Sequence, residues 1–154
     1  MKKSLVILLT LVMMISSVFC LPVSALSANK VTETTIEYLE NGDYIETVLT
    51  YEDSPTRATK SGSKTKNYKN SSGIVLWSVK VTGTFTYNGT TSSCTAVTHS
   101  TTCPGANWTI KSASSSRSGN TATAKATATL KAGSISQDYT MSVTLKCSAS
   151  GTLS

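Results

Sequence analysis

Between Val75 and Tyr87 the apolar side chains fall on every second residue. Val75, Trp77, Val79, Val81, Gly83, Phe85 and Tyr87 share one parity, while Ser78, Lys80, Thr82, Thr84 and Thr86 hold the other, with Leu76 the sole exception. A period of two belongs to a strand with one buried face and one wet face. The signature recurs in Thr121 to Lys131, where Ala122, Ala124, Ala126, Ala128 and Leu130 alternate with threonines and lysines, and again in Asp138 to Cys147. Alanine favours helices, yet strict alternation with threonine leaves no 3.6-residue stripe, so periodicity overrides propensity. The small inward residues predict closely packed sheets.

Turn chemistry punctuates these runs. Asn88-Gly89 turns the chain back into Ser92 to Thr98, and Ser118-Gly119-Asn120 separates the alternation at Trp108 to Ser112 from the threonine–alanine strand. A strand as long as Val75 to Tyr87 is expected to bend, and Gly83 is where a bulge costs least. About six strands, spaced roughly ten residues apart, predict an all-β chain built as an antiparallel β-sandwich of immunoglobulin-like type, with a small barrel as the alternative.

The amino terminus of the 154-residue chain reads differently. Lys2 and Lys3 precede an apolar run from Leu5 to Val18, and Val23-Ser24-Ala25 places small residues where a signal peptidase cuts. Residues 1–25 are therefore expected to be a signal peptide, and the mature chain to be secreted with no transmembrane anchor. A retained membrane anchor is the alternative, which Pro22 and the small residues behind it disfavour.

Charge divides the mature chain. Residues 26–56 hold seven acids against Lys30 alone, a net of −6, whereas residues 57–154 hold eleven bases against Asp138 alone, a net of +10. In the acidic block, Thr34 to Leu39 and Tyr44 to Tyr51 are β-prone runs joined by Asn41-Gly42-Asp43, which predicts an acidic β-hairpin, either docked on the basic domain or mobile. Residues 57–63 have linker composition, and Arg57 to Lys69 reads as a mobile basic arm. The expected organisation is thus a signal peptide at 1–25, an acidic hairpin or pro-segment at 26–56, a linker at 57–63 and a basic β-sandwich domain at 64–154.

Three cysteines remain after the signal peptide, so one stays unpaired or joins another chain. The inward parity of Cys147 favours a disulfide from Cys94 to Cys147, closing a loop of about 54 residues worth about 4 kcal/mol in the chain-entropy account. Cys94 with Cys103 is the competing pair, and Cys103 is otherwise available for an intermolecular contact.

Little in the sequence points to a reaction. His99 is the sole histidine and Asp138 the sole acid of the basic block, so neither a nucleophilic dyad with Cys103 nor a carboxylate pair has a predetermined geometry. His99, Cys94 and Cys103 do not match a zinc-binding spacing, and no phosphate loop or serine elbow is present. The expectation is a non-enzymatic protein with no catalytic residues, no metal and no cofactor. What remains is surface. Lys80, Lys111, Lys125, Lys131 and Lys146 fall on polar parities among threonines and serines, predicting a basic face for an anionic cell-wall polymer or acidic polysaccharide. Specific nucleic-acid binding is not expected, because Trp77, Phe85, Tyr87 and Tyr139 fall on the core parity. The alternative is a secreted effector or antimicrobial protein whose acidic hairpin is a propeptide masking that face.

Gly73-Ile74-Val75-Leu76-Trp77-Ser78-Val79, Gly83-Thr84-Phe85-Thr86-Tyr87-Asn88-Gly89, Ser118-Gly119-Asn120-Thr121-Ala122 and Leu145-Lys146-Cys147-Ser148-Ala149-Ser150-Gly151 together resemble a group of small secreted β-rich proteins of gut Gram-positive bacteria. The resemblance covers most of residues 64–151, implies export and one β-domain, and carries over no functional site. Cys103 departs from that pattern.

Overall fold

The computed structural model describes residues 29–53 and 58–154, so the expected signal peptide at 1–25 lies outside the described residues. Eight strands follow in chain order: β1 (Asn29–Tyr38), β2 (Tyr44–Asp53), β3 (Thr59–Lys69), β4 (Val75–Tyr87), β5 (Ser92–Thr102), β6 (Trp108–Ser118), β7 (Thr121–Ala132) and β8 (Ile135–Lys146). They form two antiparallel sheets, ordered β1-β2-β3-β4-β5 and β6-β7-β8, and the described residues contain no helix. The all-β sandwich expected from the alternation is the one observed. Its connectivity is not immunoglobulin-like. Every hydrogen-bonded neighbour is also a chain neighbour, giving two consecutive meanders, whereas an immunoglobulin domain interleaves its strands between sheets.

The core follows the parity read from the sequence. Trp77, Val79, Val81 and Phe85 of β4 meet Ala122, Ala124, Ala126 and Ala128 of β7, with Met141, Val143, Leu145 and Cys147 from β8 and its end. Each fully buried valine, leucine or phenylalanine contributes about 1.5–3 kcal/mol, so β4 is the thermodynamic centre of the domain. Gly83 does not itself carry the bulge expected there. A Cβ on it would lie 2.7 Å from the Phe85 ring and 3.1 Å from Ala122, so its bare backbone makes room for that ring between the sheets. The register shift falls one step on, between Thr84 and Phe85 opposite β5.

At one end Tyr68, Trp77, Trp108 and Tyr139 form an aromatic cluster, with ring centroids from 5.0 Å for Trp108 and Tyr139 to 6.5 Å for Tyr68 and Trp77. At the other end the chain beyond β8 doubles back. Lys146 and Ser154 exchange backbone hydrogen bonds of 2.9 and 3.0 Å, and Leu153 is buried over Gly62, where a Cβ would collide with it.

Two expectations about the amino-terminal half are corrected. Residues 59–63, expected as linker, and the stretch to Lys69, expected as a mobile arm, form β3, which pairs with both β2 and β4. The acidic hairpin is consequently part of the sheet: β2 runs antiparallel to β3 from Tyr44 opposite Lys69 to Tyr51 opposite Gly62. Its turn is the expected one. Asn41 Oδ1 accepts from Asp43 N at 3.1 Å and Gly42 takes a φ of 85°. β1 and β2 lie beyond the margin of the three-stranded sheet, and β1 is exposed on both faces save for Val31.

Candidate functional site

The outward parity of β7 carries Thr121, Thr123, Lys125, Thr127, Thr129 and Lys131. Across the ladder from β8 stand Lys146 opposite Thr121, Thr144 opposite Thr123, Ser142 opposite Lys125, Thr140 opposite Thr127 and Asp138 opposite Thr129. β6 completes the face with serines, including Ser112 opposite Thr127 and Ser114 opposite Lys125. β-branched threonines suit a half-exposed pleated surface. Their hydroxyls pair across strands, Thr127 with Thr140 at 2.8 Å and Thr123 with Thr144 at 3.3 Å. The result is a row of paired hydroxyls with lysines set among them.

Lys111 stands on this face by simple alternation from Trp108 and Ile110, and a bulge begins at it. The β6–β7 register shifts between Ile110 and Ser112, leaving Lys111 without an opposing residue, and its ammonium bonds to Asp138. Thr129 Oγ1 donates to the other Asp138 oxygen at 2.6 Å. The Lys111 hydrogen bond, followed by that of Thr129, holds the Asp138 carboxyl below its ordinary value. Asp138 therefore stays ionised and cancels Lys111. Lys125, Lys131 and Lys146 form no ion pair among the described residues. Lys125 and Lys131 are six residues apart on one strand, about 20 Å, so the free cations are spread along the face instead of converging on a point.

Lys80 does not belong to this group. It stands on the outward parity of β4, between Thr65 of β3 and Ser100 of β5, on the opposite side of the sandwich. The five-lysine face expected from the sequence divides four to one between two sheets. The bases of β3 are differently engaged. Lys60 bonds to Asp53 at 2.8 Å with its ammonium 4.6 Å from the centroid of the Tyr51 ring, and Lys69 bonds to Glu46 at 2.8 Å. Two acids of the hairpin thus meet two bases of β3, and β1 and β2 make no contact with β6, β7 or β8.

Among the described residues Cys94, Cys103 and Cys147 carry free thiols, so the expected Cys94–Cys147 bond is not made here. Burial pushes each of the three thiols up. His99 is bonded to Ser115 at 3.0 Å, and it lies four residues from Cys103 along extended chain, about 13 Å, too far for a catalytic dyad. Among the described residues, no group of three His, Cys, Asp or Glu side chains comes together as metal ligands would.

Arg117 was not singled out by its sequence context. The bulge at Lys111 gives it the parity of Ala122, and at the exposed sheet margin its Nη1 donates to Cys94 O at 3.0 Å and to Thr95 O, while Cys94 N donates to Gly119 O at 2.7 Å. These bonds close the seam between β5 and β6. No family model matches the chain, and neither a curated protein nor a solved structure matches it.

Proposed function

We propose that the protein is exported and binds without catalysis, presenting the β6–β7–β8 face to an anionic polymer such as teichoic acid or an acidic polysaccharide. The observation that carries this reading is the charge balance of that face. Four lysines stand against one acid, and that acid is consumed by Lys111. Cations spaced over about 20 Å suit a polymer with repeated charges better than a single phosphate, which would call for converging donors. The threonine and serine rows add short hydroxyl donors and acceptors for the polymer backbone.

Burial of the aromatic side chains supports the same class of ligand. Trp77, Phe85 and Trp108 are in the core, so this face offers no stacking platform for nucleic-acid bases or neutral sugar rings. The test compares two variants of the full chain for binding to immobilised teichoic acid. Replacing Lys125, Lys131 and Lys146 by glutamine is expected to weaken binding at least tenfold, whereas Lys80→Gln on the opposite sheet changes it less than twofold. Equal losses from both variants would overturn the assignment to this face.

A further inference from the structure

Cys94 and Cys147 are far apart in sequence and meet at one turn of the fold. Cys94 lies near the start of β5, inward in the row that contains Phe85, and Cys147 occupies the next inward position after Leu145 on β8. Their backbones are tied to neighbouring carbonyls of the β6–β7 turn. Cys94 N donates to Gly119 O at 2.7 Å, and Cys147 N donates to Asn120 O at 3.1 Å. Ser92, two residues before Cys94 and on the same face, donates its hydroxyl to Cys147 O at 2.6 Å, and Asn120 Nδ2 donates to the same oxygen at 2.8 Å. The two thiols are also coupled electrostatically, since charge on Cys94 raises the pKa of Cys147.

The competing pair is removed by the same geometry. Cys94 and Cys103 flank nearly the whole of β5, nine residues apart, which is about 30 Å of extended chain. A disulfide needs Cα atoms within about 7 Å. Cys103 packs instead at the margin of the core near the far end of β5.

We propose that Cys94 and Cys147 are joined in the exported protein by an inter-sheet disulfide, which staples β5 of the five-stranded sheet to the end of β8 in the three-stranded sheet. This does not depend on the polymer-binding reading. The oxidant is a small or protein disulfide. One cysteine thiolate attacks it and displaces one of its thiols, forming a mixed disulfide. The second thiolate attacks the protein sulfur of that intermediate and releases the other thiol. Two S–H bonds become one S–S bond, and the two protons end on the two released thiols. Because burial raises both pKa values, closure of the folded protein is slow near neutral pH and faster in alkali.

The exported form, residues 26–154 with its three cysteines, is incubated with oxidised glutathione, alkylated under denaturing conditions and digested with trypsin. No trypsin site separates Cys94 from Cys103, so the product Val81 to Lys111 carries both, while Cys147 leaves in the peptide that ends at Ser154. These two peptides are expected to be joined in the wild type and in Cys103→Ser, and unjoined in Cys94→Ser. Reduction of the Cys103→Ser variant should lower its melting midpoint by about 10 °C or more. Three alkylated thiols in the oxidised wild type, or a link that survives Cys94→Ser, would overturn the proposal. If Cys94→Ser does not fold, the Cys103→Ser map alone decides, because only Cys94 and Cys147 remain there to pair.

Discussion

Ala122, Ala124, Ala126 and Ala128 are each no more than 1% exposed, and they face the large side chains of β4 across the sandwich. Their size sets how closely the sheets approach. Adding methyl groups there forces the neighbours off their rotamers, so Ala124→Val is expected to cost about 1–3 kcal/mol. The outward Thr127→Ala, on the same strand, is expected to stay within about 0.5 kcal/mol. Urea denaturation separates the two: the midpoint falls for Ala124→Val at unchanged slope, and equal midpoints would show that the alanine row does not set the spacing. The inward row of β4 and the alanine row of β7 were both legible in the sequence, because a period of two is visible wherever core residues are apolar. The outward place of Lys111 was legible in the alternation that starts at Trp108. The bulge there, and with it the reversed parity of Arg117, depends on a register shift that no local pattern announces.

Among the elements, β3 was the one hidden from sequence reading. Lys60, Lys64 and Lys66 occupy its inward parity beside Phe85, Val81 and Val79, and a pattern of polar and apolar letters scores them as solvent-facing. Long lysine stems can cover apolar surface at the margin of a sandwich while the charge reaches water or an acid. The hairpin was legible through Asn41-Gly42, but its docking was not, because that rests on partners distant in sequence. Glu46 is the anchor. Lys69 Nζ bonds to its Oε1 at 2.8 Å and Asn67 Nδ2 to its Oε2 at 2.9 Å. The Lys69 hydrogen bond, assisted by Asn67 and opposed by burial, holds the Glu46 carboxyl below its ordinary value of 4.5. A depressed carboxyl contributes stability that is complete above that ordinary value and is lost as pH falls below it through the depressed one. Hydrogen exchange of the β2 amides, corrected for intrinsic rate, is therefore expected to accelerate as pH drops from 5 toward 3, by about tenfold or less. Glu46→Gln should exchange faster already at neutral pH, by an amount equivalent to about 1 kcal/mol, and should show a weaker acid dependence. Identical pH profiles for the two proteins would remove Glu46 from this role.

At the scale of the molecule, the division of charge was legible from composition, but its destination was not. Strand spacing near ten residues fits a meander as well as a Greek key, and only the order of pairing decides which side chains share a face. In the meander, the acids of β1 and β2 lie beyond β3, and the lysines of β7 and β8 point away from the opposite side of the sandwich. Exposed charges are screened within about 8 Å at physiological ionic strength, so the acidic end exerts little force on a polymer lying across β6–β7–β8. Replacing Glu33 and Glu37 of β1 by glutamine should accordingly change teichoic-acid binding less than twofold at physiological salt. Salt itself should act strongly. If Lys125, Lys131 and Lys146 each displace about one counterion from the polymer, the logarithm of the binding constant falls against the logarithm of salt with a slope of about −2, using the coefficient for single-stranded polyanions. Removing one of the three lysines should reduce that slope by about one third, and Lys80→Gln should leave it unchanged. A titration at several salt concentrations with each variant measures both quantities. A slope near zero would exclude an electrostatic face, and a slope restored by neutralising the β1 acids would return the hairpin to the role of a mask.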